Sequence, residues 1–133
     1  MNRVFVDTSA WYAYVLANDP DHVRVQVPME APGRRLITSN FVFDELVTLV
    51  RLRLGHSMAV RVGNTLLESE HLEMTRILPE DEKRAWSLFI GQKDKNYSFT
   101  DCTSFALMRR LGIDTVVATD RHFRQAGFRQ EPA

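Results

Sequence analysis

The chain has a single cysteine, only three lysines beside fourteen arginines, and no surplus of either charge: seventeen basic side chains balance seventeen acidic ones over 133 residues. One cysteine, Cys102, excludes an internal disulfide and the disulfide-stapled class of small secreted domain, so a reducing cytoplasmic setting is expected. Zero net charge excludes a global field that draws the protein towards nucleic acid, while leaving a local basic track open. No apolar run approaches the ~20 residues of a membrane span. The N-terminal apolar stretch is broken at Asp7 and Asn18 and lacks a small-residue cleavage site, so neither an anchor nor a secretory signal is expected. The length suits one domain over 1–133.

What is present is an alternation of strand-like and helix-like segments. Val4-Phe5-Val6 is a continuous apolar run, the signature of a strand covered on both faces, and Asp7-Thr8-Ser9 follows it directly. A helix around Trp11–Ala17 comes next. Asp19-Pro20 reads as the start of a second helix, interrupted by Pro28. Leu36–Thr38 is the second strand, and Ser39 or Asn40 caps a long helix that Gly55 stops after Leu54. A helix from Ser57 to about Ser69, a strand within His71–Ile77, and a helix opened by Pro79 with Glu80, Asp81 and Glu82 complete the middle. That last helix is expected to use Trp86, Leu88, Phe89 and Ile90 as its apolar residues. Ser98–Asp101 opens the next helix, to Leu111 and Gly112, and Thr115–Thr119 forms a buried strand ending at Asp120. A short helix at 122–126 and a strand fragment at Phe128 close the chain. Such alternation predicts an α/β fold: a parallel sheet of four to five strands sandwiched by helices in three α/β/α layers.

Four acids stand out by their places in this scheme. Asp7 and Asp120 each end a buried strand, where open parallel sheets collect ligands. Each also reads as an ordinary helix cap. Asp101 is the last residue of a Ser-x-x-Asp capping box, yet it opens a helix whose N-terminus suits a phosphate. On the long helix, a 3.6-residue period puts Asp44 on a polar wedge with Thr48 and Arg51, and Glu45 on the side of Phe41, Leu49 and Leu52. An ionised carboxylate on an apolar arc is costly unless it is paired or binds a metal. All four acids can converge on one carboxyl edge, and crowded carboxylates do not all ionise without a cation between them. With oxygen donors alone, the ion would be Mg²⁺ or Mn²⁺ rather than zinc. His22, His56, His71 and His122 are scattered and read as surface or capping residues.

At these positions the chain resembles the PIN-domain ribonucleases, and within them the VapC-type toxins of type II toxin–antitoxin systems. The resemblance rests on Val4-Phe5-Val6-Asp7-Thr8-Ser9-Ala10, Glu45, Ser98-Phe99-Thr100-Asp101-Cys102 and Ala118-Thr119-Asp120-Arg121-His122-Phe123, and covers essentially the whole chain. It implies a divalent-metal-dependent endoribonuclease in which Asp7, Glu45, Asp101 and Asp120 are catalytic metal ligands assisted by Thr8 or Ser9. It also implies a homodimer and a small antitoxin partner.

For RNA hydrolysis, a metal-activated water would leave a 5′-phosphate and a 3′-hydroxyl. Arg121 is the leading candidate for a substrate phosphate contact. Arg124 lies beside it, whereas Arg109 and Arg110 read as solvated charge. Tyr97 and Phe99 could stack on a base, with core packing as the competing role of Phe99. Asp94 reads as an outlying acid or plain loop. The Ser57 helix and the first two helices are where dimer or antitoxin contacts would fall. Two other readings remain: a non-catalytic RNA- or partner-binding module with the same fold, and a metal-dependent phosphatase or phosphotransfer domain. The latter lacks a Lys after Lys95 and has Ser9 where an Asp-x-Asp motif needs acid.

Overall fold

The computed structural model describes residues 2–133. Its sheet runs in the order β3-β2-β1-β4-β5, with every neighbouring pair parallel. The strands are β1 (Asn2–Val6), β2 (Arg34–Ser39), β3 (Leu72–Thr75), β4 (Thr115–Val117) and β5 (Arg129–Glu131). Between and beside them lie α1 (Thr8–Val15), α2 (His22–Glu30), α3 (Asn40–Leu54), α4 (His56–Glu68), α5 (Pro79–Gly91), α6 (Phe99–Leu111) and α7 (His122–Gln125).

β1 is the middle strand, and Val4, Phe5 and Val6 are buried as a strand flanked by helices requires. The chain first builds outward from β1 to β2 and β3, then returns to its other side for β4 and β5. That reversal makes the carboxyl ends of β1 and β4 a topological switch point, the crevice where open α/β sheets bind ligands. The two ends are tied together: Asp7 N–H donates to Val117 O at 3.0 Å, and Thr119 N–H donates to Ser9 Oγ at 3.0 Å. Beneath them, Trp11 Nε1 donates to Thr38 Oγ1, which donates to Val6 O, so these buried polar atoms are paired.

Several expected boundaries shift for local reasons. Asp19 does not start α2; its Oδ1 accepts the Asp21 N–H in a turn, and the helix begins at His22. Pro28 lies inside α2 without ending it, because the helix closes two residues later. The final strand is Arg129–Glu131 rather than a fragment at Phe128, which instead stacks on Phe105.

The largest correction concerns α5. Trp86, Phe89 and Ile90 are exposed, while the inward positions are Asp81, Ala85 and, as expected, Leu88, which packs half-buried against the core. Asp81 is fully buried because it closes a capping box onto the Leu78 N–H and receives a two-pronged ion pair from Arg110, Nε to Oδ1 and Nη2 to Oδ2, both at 2.8 Å. Arg110 is therefore not solvated charge; it pins α6 to α5. Arg109 lies over the Phe128 ring and donates to Ala126 O. Burial alone would raise the Asp81 pKa, but the Arg110 bonds and the Leu78 amide outweigh it and hold the carboxyl below its usual range. Removing one partner of a buried pair strands the other, so Arg110→Ala is expected to destabilise the fold by about 3 kcal/mol in urea denaturation at neutral pH. A group with a depressed folded-state pKa contributes stability above the ordinary carboxylate range and loses it as pH falls through that range. The gap between Arg110→Ala and wild type should therefore narrow in acid.

Candidate active site

Asp7 sits where β1 becomes α1, and the sharp change of direction is made by its own carboxylate. Asp7 Oδ2 accepts the Ser9 N–H at 3.3 Å and the Ser9 hydroxyl at 2.9 Å, an N-cap as the sequence allowed. Only one of its oxygens is used. Asp7 Oδ1 is buried and has no hydrogen-bond partner. Burial drives the Asp7 pKa from 3.8 up to about 8, with further upward push from Asp101, Asp120 and Glu45 and only the Ser9 hydroxyl opposing. That burial and crowding favour the protonated form of this acid.

The other three acids share its pocket. Asp7, Thr8, Ser9, Glu45, Leu49, Ser98, Asp101, Asp120 and His122 line one depression of about 320 Å³. Glu45 reaches it from the middle of α3, half-buried beside Phe41 and Leu49, while Asp44 and Thr48 face solvent as expected. Leu52 does not belong to that face; it is 79% exposed. Burial raises the Glu45 pKa; the Thr8 and Thr100 hydroxyls favour its ionised form, and Asp101 and Asp120 oppose it. The buried Thr8 Oγ1 faces this carboxylate without completing a well-formed hydrogen bond. No arginine pairs with Glu45 among the described residues; Arg53 instead lies over the Tyr12 ring.

Asp101 carries the capping role foreseen for it. Its Oδ2 accepts the Ser98 N–H while Ser98 Oγ accepts the Asp101 N–H, each at 3.0 Å. The same Oδ2 accepts from His122 Nδ1 at 2.8 Å. Burial raises the Asp101 pKa, and the Ser98 amide and His122 pull against that rise.

His122 is the residue sequence reasoning missed. Its separation from Asp101 along the chain hides the contact, and the one available signal was its place two residues after Asp120. It is no isolated surface histidine: it binds Asp101, lies 3.8 Å from Asp120 Oδ1 and meets Tyr97 edge-on at 5.8 Å. Asp120 Oδ1 also accepts the His122 N–H at 3.0 Å in a turn ahead of α7, whose N-cap is Arg121 rather than the expected Asp120. Arg121 is exposed beside Asp120. Asp94 stays outside the pocket, its exposed side chain 3.8 Å from Lys95. Phe99 joins Phe41, Trp86 and Phe89 in an aromatic cluster, and Tyr97 rests edge-on against Phe105. Cys102 is buried, its thiol pushed by that burial and by Asp101 up to about 11.

The donor set is one of hard oxygens with an unpaired buried carboxylate oxygen at its centre, which fits a hard divalent cation. As they stand, no three acid or histidine side chains among the described residues close on a common point. The Ser9, Ser98 and His122 bonds hold two of the carboxylates in these positions.

The PIN domain profile matches residues 4–129. The chain belongs to the PIN-domain family. It is 36% identical over 129 residues to the 23S rRNA-specific endonuclease VapC20 of Mycobacterium tuberculosis, covering 94% of this chain and 95% of that one. It is 27% identical to ribonuclease VapC26 of the same organism over 90% and 89% of the two chains. The crystal structure of VapC20, described as a Sarcin-Ricin loop cleaving toxin, superposes with a TM-score of 0.88 at 34% identity over 94% and 95% of the chains. DNA-bound VapBC from Salmonella typhimurium shares the fold with a TM-score of 0.70 at 17% identity over 98% of each chain.

A carboxyl whose folded-state pKa is raised loses stability as pH climbs from its unfolded value towards the folded one. In chelator-treated protein the melting temperature is therefore expected to fall between about pH 4 and pH 8, the interval set by Asp7. Asp7→Asn should flatten that fall and melt higher than wild type at pH 8. A wild-type profile unchanged by the substitution would remove Asp7 as its cause.

Proposed function

We propose that the four-acid pocket is the hydrolytic centre of this PIN-family endoribonuclease, with Asp7, Glu45, Asp101 and Asp120 holding Mg²⁺ or Mn²⁺. The observation that carries the reading is the buried, unpartnered Asp7 Oδ1 beside three further acids with no arginine to neutralise them. When bound, a divalent ion supplies a water of lowered pKa and charge stabilisation for the phosphate oxygens during in-line attack. The chain's own groups do the rest. Asp7 gives up its proton on loading and is held in orientation by Ser9. His122 and the Ser98 amide fix Asp101 through Oδ2, the kind of outer support that orients a ligating carboxylate. Asp120 orients the attacking water, Thr8 supports Glu45, and Arg121 contacts a substrate phosphate. No side-chain nucleophile is needed, so the products carry a 5′-phosphate and a 3′-hydroxyl.

The protein acts as the toxin of a toxin–antitoxin pair and as a homodimer. The apolar groove of about 470 Å³ lined by Trp11, Tyr14, Met29, Leu36, Leu66 and Leu72 is the place for an antitoxin segment. The exposed Trp86, Phe89 and Ile90 face of α5 is the surface for the second copy. The names given to VapC20 make 23S rRNA and its sarcin–ricin loop the first substrate to test.

Incubation with total RNA and Mg²⁺ or Mn²⁺ should produce discrete new 5′-phosphate ends. Asp7→Asn and Glu45→Gln should each reduce their yield by at least about a hundredfold, the scale of losing a group that acts in the transition state. Cleavage surviving undiminished in Asp7→Asn, or persisting in chelator, would contradict the assignment.

A further inference from the structure

Beside the acid pocket lies a second depression of about 530 Å³, and the two share Asp120 and His122 as a common wall. Its character is different. Three guanidinium groups line it: Arg24 from α2, and Arg121 and Arg124 from the turn and helix after β4. Arg121 and Arg124 have no acidic partner within 4.0 Å among the described residues. Arg24 bonds Asp21 at 2.8 Å one helical turn away, an exposed pair of the sort that contributes little and yields readily to a stronger anion. Two unpaired arginines and a third in a weak exposed pair, gathered around a hollow whose lining also includes Asp120, make a local basic surface in a chain of zero net charge.

The hollow is also braced from below. Gln130 of β5 is buried, and its amide fastens the segment that carries the arginines: Oε1 accepts the Arg124 N–H at 3.2 Å, while Nε2 donates to Ala118 O at 3.2 Å and to Asp120 O. One side chain thus fixes the backbone of Ala118, Asp120 and Arg124 together. The positions of Asp120 in one depression and of Arg121 and Arg124 in the other are therefore set by a single strut. Arginine suits such a place because its planar fork grips phosphate oxygens in pairs and desolvates more cheaply than lysine.

We propose that the Arg24–Arg121–Arg124 hollow is a backbone subsite for RNA, holding the phosphate or phosphates next to the scissile one and so setting the strand's register across the acids. This rests on the nuclease reading of the acid pocket and adds two further residues to Arg121. The grip is electrostatic and carries no base preference; its task is position. Gln130 is a positioning residue for it.

The test separates the two readings by using Asp7→Asn protein, which should bind without cutting, and a fluorescent single-stranded oligonucleotide spanning a mapped cleavage site. The slope of log affinity against log salt should fall by about 0.7 for each phosphate contact removed from a single strand. Adding Arg24→Ala, Arg121→Ala and Arg124→Ala together should thus flatten it by about 2. Neutral methylphosphonate linkages placed one at a time should weaken binding at a phosphate flanking the cleavage site, and this loss should vanish in the triple variant, as coupled partners require. Melting temperatures within a few degrees of the parent, and partial rescue by the three Arg→Lys changes, would show that folding is not the cause. Unchanged slope and unchanged linkage sensitivity in the triple variant would overturn the subsite while leaving the nuclease centre standing. An acidic polypeptide as the true occupant would give that same result. Failure of Asp7→Asn to bind the oligonucleotide at all, with no cleavage by wild type, would overturn both.

Discussion

The burial of one carboxyl group at the end of the central strand governs much of this molecule. β1 is enclosed by helices and flanked by strands, so whatever follows Val6 is delivered into a site already poor in water. That residue is Asp7, and the chain makes it useful locally through one oxygen, which caps α1, while the other is left without a partner. A lone buried carboxylate would simply keep its proton. Three more acids brought alongside by α3, α6 and the end of β4 raise the electrostatic cost of ionisation further. Cost of this kind is retained at working sites and offset elsewhere in a fold.

Here the offsetting features are visible. Ser9 and Thr119 lock the ends of β1 and β4, Ser98 and His122 share one oxygen of Asp101, and Gln130 ties down the backbone around Asp120. Farther away, the Asp81–Arg110 pair clamps α5 to α6 and so helps fix the helix whose N-terminus presents Asp101. Acids appear in both settings with opposite outcomes: Asp81 is neutralised by a guanidinium and ionises easily, while Asp7 has no such partner and resists ionisation. The presence or absence of an arginine is what separates the acid whose pKa is lowered from the one whose pKa is raised.

The parts legible in the sequence were those carried by periodicity and by strand ends. Val4-Phe5-Val6 and the run before Asp120 announce buried parallel strands, and helical geometry separates Glu45 from Asp44 correctly. What the sequence hid was pairing at a distance. From sequence His122 reads as a surface or capping residue because its partner Asp101 lies 21 residues away, and Arg110 as solvated because Asp81 is 29 residues away. The apolar residues of α5 misled for a related reason: Trp86, Phe89 and Ile90 look like a core stripe, yet the helix turns a capping acid and an alanine inward and leaves the aromatics outside. Amphipathic patterning shows that a face is apolar without showing what covers it.

The most direct measurement is the number of protons released when the metal-free protein is titrated with Mn²⁺ at pH 7, obtained calorimetrically in buffers of different ionisation enthalpy. An Asp7 held neutral by burial and by its neighbours must shed its proton on loading, so close to one proton per protein is expected from wild type and markedly less from Asp7→Asn. Binding of Mn²⁺ with no proton release, or with the same release from both proteins, would contradict the claim that this carboxyl is the strained centre of the site.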